Sequence, residues 1–220
     1  YMAFCQSAKA HGLDTKCHAI DTWKGDQPSS FYGEEVFSAI VAHNREHYGS
    51  FSTLIRSSFD EAVDQFEDGS IDLLHIDGLH RYEAVRHDFE TWLPKVSDRG
   101  IILFHDTCGH REDFGIFRLW EELKPQYPHF EFFHGHGLGI LGIGKELPEA
   151  LQSLFELPTD GAANHVRMAY ARLGEGISRG IRADKTLQLE PHLANSTETF
   201  QKSRKGLART VALHRKRVHF

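Results

Sequence analysis

Ile71-Asp72-Leu73-Leu74-His75-Ile76-Asp77-Gly78-Leu79-His80 is the stretch that decides how this chain is read. The run 71–76 has strand length and stops at Asp77-Gly78, a turn signal. Over residues 82–93, Val85, Phe89 and Trp92 recur at helical spacing, so a helix follows. Asp98-Arg99-Gly100 reads as a turn into a second apolar strand, Ile101-Ile102-Leu103-Phe104, which runs out at His105-Asp106. Strand, helix and strand in that order are the unit from which parallel sheets are built.

The alternation extends outward in both directions. Upstream, residues 1–11 read as a helix stopped by Gly12, and residues 17–20 as a strand ending at Asp21. Residues 33–48 carry Val36, Phe37, Ile40 and Val41 at helical spacing, and residues 53–56 form a strand. Ser58-Phe59-Asp60-Glu61 has the form of a capping box and opens a helix. Downstream, a helix is expected around 114–124. Two strands then close the fold, at 130–133 and 138–143, joined by His134-Gly135-His136-Gly137. The fold class is α/β: a Rossmann-like, mostly parallel sheet with helices on both faces and a terminal antiparallel hairpin. Residues 1–148 are read as the domain, 149–165 as a linker, and 166–220 as a basic helical tail.

Charge is unevenly distributed along the 220 residues. Residues 1–150 carry 13 basic and 25 acidic side chains, whereas residues 167–220 carry 12 basic and 4 acidic. The acidic part argues against a nucleic-acid surface there, and the basic tail is read as a solvated helical extension rather than a nucleic-acid arm. No apolar run is long enough to cross a membrane. No leader pattern is seen. Cys5, Cys17 and Cys108 form no C-x-x-C pair or disulfide framework, which suits a reducing cytoplasm.

Ligands of open α/β sheets sit beyond the carboxyl ends of the strands. At those ends stand Asp21, Thr22 and Trp23; Ser57, Ser58 and Phe59; Asp77, Gly78 and His80; and His105, Asp106 and Thr107. Asp77 and Asp106, at the tips of neighbouring strands, repel unless a cation lies between them or each caps a helix. Oxygen ligands suit a hard cation such as Mg2+, which would acidify and orient a substrate hydroxyl. His80 is the candidate general base. Asp21 is placed to bind the ribose hydroxyls of a nucleotide-like cofactor. Trp23 either packs beside that cofactor or covers the core, and Ser58 is first a helix cap and only then an adenine contact. His134 and His136 are read as belonging to a structural turn far along the chain from the carboxylates, and Cys108 has no partners that would make it a nucleophile. His75, Asp77 and His105 offer a second reading, the two-histidine, one-carboxylate set of a non-haem iron oxygenase, although that set belongs on an all-β barrel.

The run Leu74-His75-Ile76-Asp77-Gly78-Leu79-His80-Arg81-Tyr82-Glu83, with Asp88-Phe89, Trp92-Leu93, Gly100 and Phe104-His105-Asp106-Thr107, resembles class I S-adenosylmethionine-dependent methyltransferases. In particular it resembles the bacterial metal-dependent sugar O-methyltransferases of macrolide pathways. The resemblance spans roughly residues 1–145. It implies S-adenosylmethionine as cofactor, Mg2+ or another divalent cation held by Asp77 and Asp106, and His80 as the base. It implies that Asp21, Thr22, Trp23, Ser58, Phe59 and Asp77 line the cofactor site. The acceptor would be a small-molecule hydroxyl, as on a sugar, with a fused or neighbouring glycosyltransferase as a possible companion. Such folds open on a strand and a Gly-rich loop, and this sequence opens on what resembles the helix after them. The resemblance therefore implies a domain lacking that first strand, and an alternative role as a non-catalytic or scaffold module of a larger glycosyltransferase-type protein. Thr107 stands where some metal-dependent relatives carry Asn or Asp.

Overall fold

In the computed structural model the described residues are 1–26, 30–110, 114–159 and 161–180. Tyr1–Leu157 forms one compact unit. A second unit begins at Pro158, and its described part is helical over 162–180. Most of the expected basic tail, 181–220, lies outside the described residues. The stretch expected as a linker contains a helix, Glu149–Phe155. No helix among the described residues is long and apolar enough to cross a membrane.

The first unit runs α1 (Met2–Ala10), β1 (Cys17–Asp21), β2 (Gly25–Asp26), β3 (Ser30–Phe31), α2 (Glu34–Tyr48), β4 (Ser52–Arg56) and α3 (Phe59–Ala62). It continues with β5 (Ile71–Ile76), α4 (Tyr82–Trp92), β6 (Val96–His105), α5 (Ile116–Leu123), β7 (His129–Phe132), β8 (Leu138–Gly142) and α6 (Glu149–Phe155). The α/β class and the alternating order are as the sequence led us to expect. β1 pairs with β4 in parallel, from Cys17 opposite Ser52 to Asp21 opposite Arg56. β5 pairs with β6 in parallel, β6 with β8 antiparallel, and β8 with β7 antiparallel, giving the order β5-β6-β8-β7. Among the described residues these are two separately hydrogen-bonded groups, and β2 and β3 form a small ribbon of their own.

The main core joins the two layers at β6. Ile102 and Phe104 pack with Ile76 of β5, Val85 and Phe89 of α4, and Ile116, Leu119, Trp120 and Leu123 of α5. The intervening Ile101 and Leu103 are buried as well. A strand apolar at every position is one covered on both faces, which is why 101–104 shows no alternation in sequence. Burial of a large apolar side chain here contributes roughly 1.5–3 kcal/mol each, so this strand is fixed in place.

One expectation is corrected. Asp98-Arg99-Gly100 does not precede the strand but lies inside it, because β6 begins at Val96. Ile71 is opposite Val96 and Leu73 opposite Ile101, so the turn residues form a bulge. Backbone groups after β8 supply the bulge with partners: Gly144 N–H donates to Gly100 O at 3.0 Å and Glu146 N–H to Asp98 O at 2.7 Å. Those partners are distant in sequence, so local reading sees only the turn.

Candidate active site

The tips of β5 and β6 bring four predicted or weighed side chains together. His80 Nε2 lies 3.7 Å from Asp77 Oδ1 and 3.0 Å from Asp106 Oδ2. His105 Nδ1 lies 3.5 Å from Asp77 Oδ1 and 2.7 Å from Asp106 Oδ1. Asp77, His80 and His105 each offer one ligand atom, and these atoms all lie within 4.8 Å of one another. Asp106 is buried against both histidines.

Alternation along β6 should send residues 105 and 106 to opposite sides. It does not, because Asp106 has φ +63. That left-handed backbone costs a non-glycine residue about 1–2 kcal/mol. The surroundings hold it there: Asp106 N–H donates to Gly137 O at 3.0 Å, and Gly109 N–H donates to Asp106 O at 2.9 Å. Strain kept in place at a strand tip is a pattern of functional sites. The β7–β8 turn is therefore not remote from the carboxylates. Cys108 N–H donates to His136 O at 2.8 Å, so the turn 134–137 lies along the backbone of 106–108. Sequence distance concealed this contact, which the antiparallel pairing of β8 with β6 creates.

His80 is held from two sides. Its ring stacks on Phe114 with centroids 4.5 Å apart. Its carbonyl accepts from Gly115 N–H at 2.7 Å, which ties the start of α4 to the start of α5. Nevertheless His80 Nε2, His105 Nδ1 and Asp106 Oδ1 are buried and, among the described residues, make no aligned hydrogen bond. They are nonetheless close to opposite charge, His80 Nε2 to Asp106 Oδ2 at 3.0 Å and His105 Nδ1 to Asp106 Oδ1 at 2.7 Å. Two imidazoles and two carboxylates are thus gathered within a few ångströms at the strand tips. A divalent cation fits that donor set.

Asp21, at the tip of β1, is exposed, and its Oδ1 accepts from Trp23 N–H at 2.7 Å. Trp23 adopts φ +50 and is buried, its ring centroid 4.9 Å from that of Phe37, so it covers the core. Arg56, beside Asp21 in register, is held in two bonds of 2.7 and 2.8 Å to Glu34, and its Nε donates to Thr22 O at 3.3 Å. That cation is thus engaged by Glu34 rather than by Asp21. Ser58 caps α3 in a full capping box with Glu61. Phe59 lies so close under Gly78 that a methyl group there would stand 2.5 Å from its ring and 3.1 Å from Asp88 Oδ2. Only glycine allows this approach of the Asp77-Gly78 turn to α3.

His75 lies outside the four-residue cluster. Its ring contacts are with Phe4 at 5.9 Å and His105 at 6.1 Å, and burial holds its imidazole below the usual histidine range. Burial likewise pushes the Cys108 thiol up, the opposite of an activated nucleophile. Sequence reasoning set His105 beside Asp106 at the end of its strand and, in the second reading, beside His75 and Asp77; the structure brings it to Asp106, Asp77 and His80. The deciding signal, a left-handed Asp106, has no local sequence mark.

A family model described as a methyltransferase domain matches residues 1–107. An uncharacterized protein of Sinorhizobium fredii, y4gI, is 48% identical over 160 residues, which make up 73% of this chain and 18% of that protein. The chain thus spans less than a fifth of the length of that curated relative. Among solved structures, a Corynebacterium glutamicum protein aligns at TM-score 0.46 and 15% identity, covering 61% of this chain and 64% of its own. A putative caffeoyl-CoA O-methyltransferase from Staphylococcus aureus aligns at TM-score 0.43 and 15% identity, covering 63% and 79%. An S-adenosylhomocysteine-bound methyltransferase of Podospora anserina, PaMTH1, aligns at 0.42 and 14%, covering 63% and 75%. Residues 1–107 of this chain, just under half of it, are thus similar to the methyltransferase-domain family.

Proposed function

We propose that the domain transfers a methyl group from S-adenosylmethionine to a hydroxyl of a small molecule, a sugar or glycosylated metabolite being the acceptor class. The observation that carries this reading is the gathering of Asp77, His80, His105 and Asp106 at the strand tips, with ligand atoms of the first three within 4.8 Å of one another. The cofactor supplies the methyl group, and a divalent cation at the carboxylates supplies acidification of the acceptor hydroxyl. Asp77 and Asp106 hold that cation and orient the acceptor oxygen. Asp21 binds the ribose hydroxyls, with Thr22, Trp23, Ser58 and Phe59 lining the same side. His80 takes the hydroxyl proton at Nε2, its ring kept in plane by Phe114. The carbon–sulfur bond breaks as the carbon–oxygen bond forms, so most of the acceleration comes from positioning.

Methyl transfer from labelled S-adenosylmethionine to a panel of glycosides, with divalent cation or with chelator, tests the reading. Transfer should require the cation, and His80→Ala should lower kcat by roughly 10²–10⁴-fold. Undiminished turnover by both Asp77→Ala and His80→Ala would remove the site assignment. The larger size of the Sinorhizobium relative supports a second element of the proposal, that this domain works as one module of a longer polypeptide. A module acting only as a scaffold would bind no S-adenosylmethionine in calorimetry.

A further inference from the structure

We propose that His43 and His47 of α2 form a two-histidine chelate for a late first-row divalent cation such as Cu2+ or Ni2+. The site is built from α2 alone and shares no residue with the strand-tip cluster. Histidines four positions apart stand one above the other on one face of a helix, the spacing that helical metal sites use. The pair lies in His43-Asn44-Arg45-Glu46-His47, inside α2, and both side chains are exposed. Their ring centroids are 4.4 Å apart at an interplanar angle of 57°, so the rings are not stacked face to face. A cation bound to an imidazole nitrogen at about 2.0–2.1 Å stands about 3.2 Å from the ring centre, and two such rings at right angles around it have centres about 4.5 Å apart. The observed spacing is that of neighbouring ligands in the tetragonal coordination favoured by Cu2+ and Ni2+.

Among the described residues neither ring makes a hydrogen bond, and the one ion contact, His47 Nε2 to Glu46 Oε1, is 3.9 Å long. The helix that carries the rings is fixed. Asn44, between them, is buried; its amide donates to Ser52 O at 3.2 Å and its Oδ1 accepts from Ser52 Oγ at 2.5 Å. That anchor sets the rotation of α2 against β4 and leaves positions 43 and 47 outside. Chelation therefore costs the rotamer freedom of two exposed side chains and no backbone rearrangement. Lys9 Nζ donates to the His47 carbonyl at 3.0 Å while Glu46 lies beside the His47 ring, so the neighbouring charges oppose one another and the nitrogens decide binding. Imidazole suits Cu2+, Ni2+ and Zn2+, whereas Mg2+ prefers oxygen ligands and water, so Mg2+ does not compete here. Among the described residues no third histidine, cysteine or carboxylate joins the pair, so water completes the coordination.

Titration of the full chain with CuCl2 at pH 7.5 in the presence of MgCl2 tests the proposal, with paramagnetic broadening of the assigned histidine ring signals as the readout. Once one imidazole has bound, the helix holds the second at a high effective concentration, so chelation should gain at least about tenfold over a single ring. In the wild type, His43 and His47 should therefore broaden at a free Cu2+ concentration at least about tenfold below that needed for His165, an exposed histidine in the helical stretch 162–180. His43→Asn should raise the midpoint of His47 by at least about tenfold, and His47→Asn should do the same to His43. Broadening of the pair no earlier than that of His165, or a smaller shift in either variant, overturns the chelate and leaves the strand-tip reading untouched. The wild-type comparison with His165 decides the matter even if a variant does not fold.

Discussion

Replacing Gly137 by alanine places a methyl group 2.6 Å from the Cys108 backbone nitrogen, 2.6 Å from Thr107 Oγ1 and 2.8 Å from Cys108 Sγ, where ordinary contact begins at 3.4 Å. The obstacle includes backbone, so side-chain rotation cannot relieve it. Gly137 also sits at φ +92, beyond the usual left-handed region of other residues. The conformational part costs about 1–2 kcal/mol. Overpacking adds about 1–3 kcal/mol. Gly135, two residues earlier in the same turn, has φ +66 and nothing within 4 Å of an added methyl. Gly135→Ala should therefore cost only the conformational part, about 1–2 kcal/mol. Gly137→Ala should cost about 2–5 kcal/mol in total. The two should also separate functionally. The 137 methyl pushes on the segment whose Asp106 N–H bonds to Gly137 O, so Gly137→Ala disturbs the left-handed carboxylate. Urea unfolding of both variants gives the stability difference, and cation binding in the absence of urea gives the functional one. Equal losses of stability, or weakened cation binding by Gly135→Ala to the same degree, would refute the argument that the hairpin positions Asp106.

Three further outcomes are expected. Burial raises the Asp88 carboxyl to about 6, with Asp60 adding to the rise and His87 opposing it. An acid whose folded pKa is raised leaves stability intact below the unfolded value near 3.8 and diminishes it as pH climbs through 6. Thermal melts should therefore show Asp88→Asn more stable than wild type at pH 7.5 and equal to it at pH 3.5; a constant difference across that range would contradict the assignment. Ser58→Ala removes the acceptor for Glu61 N–H and breaks the reciprocal box of α3, and should cost about 1 kcal/mol in denaturant unfolding. Finally, a cation at 100 times its dissociation constant should stabilise the wild type by about 2.7 kcal/mol. Melting should then rise about 5–11 °C for a unit of this size. Asp106→Asn, which tolerates the same backbone but loses the charge, should show little of this rise; an equal rise would place the cation elsewhere.

The local sequence was enough to set the element order. Val85, Phe89 and Trp92 mark α4 by spacing, Ser58 and Glu61 mark the start of α3, and 101–104 marks a buried strand, because each signal arises from neighbours three or four positions apart. The same locality located Asp77, His80 and Asp106, since strand tips follow from strand ends and ligands gather there. What the sequence left open needed contacts between distant segments. The bulge at 97–100 depends on N–H donors beyond β8. The place of the 134–137 turn beside Asp106 depends on antiparallel insertion of β8. The membership of His105 depends on a single left-handed residue, held by Gly137 and Gly109 against a cost of about 1–2 kcal/mol. Residue types and spacing thus determined which side chains stand at the strand ends of this protein. Tertiary structure alone decided which of them meet, because backbone dihedrals at a turn are set by the hydrogen bonds that close around it and not by the residue that occupies it.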